Sequence, residues 1–214
     1  MMLTARRLLC LVALVLAGLA GCATLDEKQR EWIFQPGDRS WGDPVAATRG
    51  MDDVWIPFVD EAGQTVRLHG LWLEGPRPDA PVALYLHGAR WNIAGSAFRM
   101  RRLHELGFAV LGIDYRGFGK SLQMLPSEKS AATDARMAWD WLARAHPQRP
   151  RFIYGHSLGG AIAIELAHHV GDELGTLVEG TFTSLRDVIA SMSWGWLPIG
   201  PLLTQRFDAV QRVA

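Results

Sequence analysis

Cysteine is nearly absent from this 214-residue chain, and where it occurs matters: Cys10 and Cys22 both lie in the first 22 residues. The remainder can form no disulfide and no thiolate metal site. Charge of one sign is also lacking. Lys plus Arg and Asp plus Glu each total 22, so no basic excess exists to attract nucleic acid. No apolar run reaches the roughly 20 residues that a spanning helix needs. The longest, Leu8 to Leu19, has 12 residues. Internal repeats, low-complexity tracts and a second domain are missing too. What is present is an ordinary globular composition, 49% hydrophobic and 21% charged, long enough for one domain with a sizeable core. Nine tryptophans are scattered from Trp32 to Trp196, as expected of core and pocket walls.

The first residues read as an address. Arg6 and Arg7 precede the 12-residue apolar run, and Leu19-Ala20-Gly21-Cys22 closes it. The arrangement suits a signal peptide rather than a membrane span. Its last four residues resemble the lipobox of bacterial lipoproteins. The resemblance implies cleavage after residue 21 and acyl chains on Cys22, which would anchor the protein, since each buried CH₂ contributes about 0.8 kcal/mol. Ala23 follows where an Asp is associated with inner-membrane retention, so the outer membrane of the cell envelope is the expected location. Loss of residues 1–21 removes two arginines and leaves 20 basic against 22 acidic residues, a formal charge of −2.

Residues 22–50 are polar and contain Pro36, Gly37, Gly42 and Pro44; they predict a tether and an irregular lead-in. Residues 51–214 predict one domain. "VWIPFVD" (54–60) and "QTVRLHGLWLE" (64–74) form a hairpin pattern around a Gly-containing turn. Buried-strand runs then alternate with helical spacing: strands near 82–88, 108–115, 151–155 and 174–180, helices over 98–106, 128–145 and 158–170. This predicts an α/β protein with a mostly parallel sheet, an antiparallel N-terminal hairpin and helices on both faces.

The chemistry concentrates at "FIYGHSLGGAIAIELA" (152–167). Gly155-His156-Ser157-Leu158-Gly159 follows an apolar strand and opens an apolar helix, the context of a nucleophile elbow. Gly155 and Gly159 leave room for a sharp turn that projects Ser157 Oγ, and the helix N-terminus offers free N–H groups to an oxyanion. The second donor of such a hole comes from the loop after an earlier strand. Here His87-Gly88-Ala89 fits, giving Ala89 and Leu158 as backbone donors and His87 and Gly88 as loop organisers. His156 adjoins Ser157 in sequence and should point away from its Oγ. "GIDYRGFGKS" (112–121) lacks the spacing of a phosphate loop and reads as structural.

These segments, in the order "LYLHGA", "GFAVLGIDYRGFGKS", "FIYGHSLGG" and "LVEGTFTSLRDV", resemble the α/β-hydrolase superfamily over roughly residues 54–210. The resemblance is closest to small serine hydrolases and serine aminopeptidase-like esterases. It implies Ser157 as nucleophile, Ala89 and Leu158 as oxyanion donors, and a small-molecule ester, thioester or other acyl substrate. It implies no metal or organic cofactor. Trp194 and Trp196 fall in the region that forms a cap in the family and are candidates for an acyl pocket; oligomeric state is not implied.

A base for Ser157 is harder to find. The histidines downstream are His168 and His169, roughly 16 Å along the helix that Ser157 opens. Glu179, Asp187 and Asp208 are candidate acids, but an acid without a histidine completes no relay. The expectation is a chain cut short, with acid and His beyond residue 214 and the C-terminal strands missing. The alternative is a non-catalytic, membrane-anchored binding or structural remnant of a hydrolase.

Overall fold

The computed structural model describes residues 20–39, 42–193, 195–197 and 200–213. A six-stranded sheet has the order β1-β2-β4-β3-β5-β6. Its strands are β1 Asp52–Val59, β2 Thr65–Leu73, β3 Val82–Leu86, β4 Ala109–Ile113, β5 Arg151–His156 and β6 Thr176–Glu179. β1, β2 and β4 pair antiparallel, whereas β4, β3, β5 and β6 pair parallel. The buried central strands β3 and β4 have no polar residues, as a sheet covered on both faces requires. Asp60 holds the hairpin turn: its Oδ1 accepts from the N–H groups of Ala62 and Gln64, both at 3.0 Å.

Helices cover both faces. α3 (Ala97–Glu105) lays Met100 and Leu103 against Leu71, Ala83, Tyr85 and Val110. On the opposite face, α4 (Glu128–Ala145) buries Ala131, Ala135, Ala138, Trp139 and Leu142, the stripe its sequence spacing predicts. Ser127 caps α4 by accepting from Ser130 N–H at 3.1 Å, and Ser130 Oγ in turn accepts from Ser127 N–H at 2.8 Å. α5 (Leu158–His169) packs beside α4. A short helix, α6 (Leu185–Ala190), follows β6.

The lead-in differs from expectation. Residues 20–34 are helical (α1), and a single turn, α2, occupies Pro44–Ala47. Phe34 is fully buried, its ring 5.9 Å from that of Phe207. The polar residues of α1, which suggested a tether, make long-range bonds instead. Arg30 Nε donates to Pro126 O at 2.8 Å, and Gln205 Nε2 donates to Asp26 Oδ1 at 3.0 Å. Those partners lie about a hundred or more residues away, so composition alone did not disclose them. The signal-peptide reading falls almost wholly on residues 1–19, outside the described residues. No described helix is long and apolar enough to cross a membrane.

Candidate active site

Register builds the site. Parallel pairing sets Leu86 opposite Gly155, so the segments leaving β3 and β5 emerge side by side. One begins at His87, the other at Ser157, at the carboxyl edge of the sheet where α/β proteins hold ligands.

Ser157 occupies the turn between β5 and α5 with φ 55° and ψ −121°. A side-chain-bearing residue rarely adopts this conformation, and such strain persists only where surroundings enforce it. Here Ser157 N–H donates to Glu179 O at 2.9 Å, and Ser157 O accepts from Gly160 N–H at 2.9 Å. The flanking glycines make the turn possible. A Cβ on Gly155 would lie 2.6 Å from Gly160 Cα, and one on Gly159 would lie 2.5 Å from His87 O. Gly88 faces Ser157 directly: a Cβ there would sit 3.1 Å from Ser157 Cβ.

Two donors remain uncommitted. Leu158 is the first residue of α5, so its N–H has no intrahelical acceptor. Among the described residues neither it nor Ala89 N–H donates to a protein acceptor. The next amide along the loop is taken: Arg90, at φ 80°, donates its N–H to Phe34 O at 3.0 Å. Asn92 N–H donates to Arg39 O at 3.0 Å. The chain following α1 therefore straps down the loop that contains Ala89.

His87 is wholly buried between Tyr115 and Phe118, with ring centroids at 4.6 and 5.0 Å. Its Nδ1 donates to Gly88 O at 2.6 Å, because a carbonyl only accepts. Burial pushes its pKa down, so it stands as a neutral loop organiser. Asp114 ties further parts together: Oδ1 accepts from Ile93 N–H at 2.7 Å, and Oδ2 lies 3.1 Å from His69 Nδ1. His69 Nε2 lies 2.5 Å from Asp53. Both its nitrogens face carboxylates, and although burial opposes the charge, bonds to Asp114 and Asp53 raise its pKa overall. Sequence reading missed His69; a histidine alternating into a strand looks like core.

Two of the candidate acids, Glu179 and Asp187, are engaged elsewhere. Glu179 is gripped bidentately by Arg99, both contacts at 3.0 Å, and accepts from Tyr154 OH at 2.6 Å. The Arg99 bonds, then Tyr154, hold it at about 2. Asp187 accepts from Thr183 and Ser184 hydroxyls at the start of α6. Asp208 precedes the final 3₁₀ turn, Ala209–Arg212. His168 and His169 end α5, far from its Ser157 end, and His169 Nδ1 bonds Glu165 O at 2.9 Å. His156 lines the same cavity as Ser157, its pKa lowered by burial and then by Arg99. No described histidine is hydrogen-bonded to Ser157.

A cavity of about 900 Å³ opens over Ser157, Leu158, Gly88 and Ala89. Its apolar wall comes from Trp32, Trp91, Phe98, Phe182, Val188 and Met192. Trp196, expected in such a wall, is instead 79% exposed and is not part of it; Trp194 lies outside the described residues. Trp32 and Trp91 take that place, because α1 and the loop after β3 pack over the sheet edge. The spacing of Leu25, Lys28, Trp32 and Ile33 was the available signal for the helix.

A profile of the family described as serine aminopeptidase, S33 (Hydrolase_4) matches residues 77–191. The chain belongs to this family. This hydrolase is 31% identical over 212 residues to an uncharacterised protein of Mycobacterium tuberculosis, covering 97% of this chain and 73% of the other. Its similarity to the lysophosphatidylserine lipase ABHD12 of Danio rerio is 32% over 151 residues, 60% of this chain and 39% of that lipase. Among solved structures, an α/β-hydrolase from Vibrio vulnificus superposes with a TM-score of 0.65 at 23% identity, covering 82% of this chain and 67% of its own. An esterase from Pyrococcus furiosus gives 0.60 at 20% identity, covering 74% and 59%. At these identities the two structures establish the α/β-hydrolase fold.

Proposed function

We propose that this hydrolase cleaves carboxylic esters or thioesters with Ser157 as nucleophile. The observation that carries this reading is the strained Ser157 backbone, held beside two uncommitted N–H groups at Ala89 and Leu158. Ser157 Oγ attacks the substrate carbonyl and its proton passes to a base. The resulting oxyanion is held by the Ala89 and Leu158 amides. Collapse expels the alcohol or thiol and leaves an acyl-enzyme that water hydrolyses. No step calls for a metal or organic cofactor. The lipase and esterase names among the relatives support an ester-linked acyl group.

None of the described histidines bonds Ser157, so on this reading the base comes from elsewhere. Hydrolases stripped of triad members retain only about 10³–10⁴-fold catalysis over water, so slow turnover by these 214 residues alone is the expectation. Fluorophosphonate labelling and a p-nitrophenyl ester assay test both points, on this chain and on any longer reading frame encoding it. Ser157→Ala should abolish labelling in each. Fast, Ser157-dependent turnover by the 214 residues would overturn the statement about the base. An unlabelled longer form would favour a non-catalytic binding remnant.

The lipobox-like Leu19-Ala20-Gly21-Cys22 supports a second element of the reading, an acyl anchor on Cys22 in the cell envelope, on the outer membrane. Mass spectrometry of the membrane fraction should find Cys22 acylated at a new N-terminus, and Cys22→Ser should release the protein. An unmodified Cys22 would end the anchoring proposal without touching the hydrolase one.

A further inference from the structure

Beside the cavity over Ser157 lies a second depression of about 360 Å³. Leu25, Trp32 and Ile33 of α1, Leu185 and Ile189 of α6, and Leu202 line it. Its polar neighbours are already committed. Gln29 Nε2 donates to Leu202 O at 2.8 Å, Gln29 Oε1 accepts from Thr204 N–H at 3.0 Å, and Lys28 pairs with Glu31 at 2.6 Å. The groove therefore offers carbon and no free hydrogen-bonding group. Leu25, Trp32 and Leu202 nevertheless stand 39%, 47% and 58% exposed. Three of its residues, Trp32, Ile33 and Leu185, also line the cavity over Ser157. α1 precedes residue 77, so its share of the wall lies outside the stretch shared with the family profile.

We propose that the groove receives the distal methylenes of a long acyl chain whose carbonyl lies at Ser157, the chain crossing over Trp32. The substrate class is then a long-chain acyl ester. This rests on Ser157 being the nucleophile. The groove has the volume of a small-ligand site, whereas a stable protein interface needs roughly 800 Å² per partner. Its shared wall with the reacting centre favours an occupant that reaches both places at once.

The test is binding of 8- and 16-carbon fatty acids to the full chain, read by displacement of a fluorescent fatty acid below micellar concentrations. Each buried methylene should tighten binding about fourfold, so the 16-carbon acid should bind far more tightly than the 8-carbon one. Leu25→Gln and Leu202→Gln, at exposed positions on the groove, should weaken the 16-carbon acid at least tenfold and leave the 8-carbon acid unchanged. Leu106→Gln, 75% exposed at the end of α3, should alter neither. Equal affinity for both lengths, or groove variants without effect on the longer acid, would overturn the proposal. So would a dimer that the same substitutions dissociate. Fluorophosphonate labelling of a longer reading frame encoding the chain keeps the two readings apart: no label there, with intact length dependence, removes the hydrolase reading and leaves a fatty-acyl site.

Discussion

Glycine does more at this site than any charged residue, because the turn at Ser157 is decided by where a Cβ cannot be. Gly159 abuts the carbonyls of Leu86 and His87; backbone atoms cannot move aside as a flexible side chain would. Gly159→Ala should therefore destabilise the fold by about 1–3 kcal/mol or more, measured as a lowered urea midpoint. Gly88 is different. A Cβ there would meet Ser157 Cβ at 3.1 Å and both Nδ1 and O of His156 at 3.3 Å, contacts that shifts of a few tenths of an ångström relieve. Gly88→Ala should keep most of the stability yet slow fluorophosphonate labelling of Ser157. Equal labelling rates would show that the loop has slack the geometry does not suggest.

At the level of elements, two connections join pieces that the sequence leaves far apart. The first is α1. Phe34 is buried against Phe207 and its carbonyl holds the Arg90 amide. Phe34→Ala should cost about 3–5 kcal/mol by denaturant unfolding. The second is the Arg99–Glu179 pair between α3 and β6. Glu179 has a folded pKa of about 2 against an ordinary value of 4.5. A depressed carboxylate stabilises above its unfolded pKa, and that contribution fades as pH falls through the window between the two. The stability gap between the protein and Glu179→Gln should thus be full near neutral pH and close between about pH 4.5 and 2. Glu179 is half exposed, so solvent screening keeps the gap modest. A gap independent of pH would show that the lost packing, not the charge, matters.

For the whole molecule, the telling feature is the edge of the sheet. β6 is the outermost parallel strand, and Leu177 and Val178 are 50% and 43% exposed. Parallel strands are ordinarily covered on both faces, and an open apolar edge invites pairing with another chain. Val178→Lys should lower concentration-dependent light scattering of this chain with little change in unfolding midpoint. Scattering unaffected by the lysine would place self-association elsewhere. His69 acts at the same scale, joining β1, β2 and the Asp114 loop. Its raised pKa means that this stabilisation is full below about pH 6.5 and is lost as pH rises through the higher folded value.

Periodicity alone determined the strand and helix order and the α/β class, because burying a sheet on both faces leaves few residue choices along each strand. G-x-S-x-G between an apolar strand and an apolar helix likewise marked the strained turn at Ser157, since that turn tolerates little besides glycine at its flanks. Tertiary structure decided the rest. It made a helix of residues 20–34, whose polar side chains are bonded to partners up to 179 positions away, and it replaced Trp196 with Trp32 in the cavity wall. It also turned Glu179 toward Arg99 and His87 toward its own loop. Such partnerships depend on strand order and register, and no local pattern in a single chain encodes which distant residue a fold will bring within 3 Å.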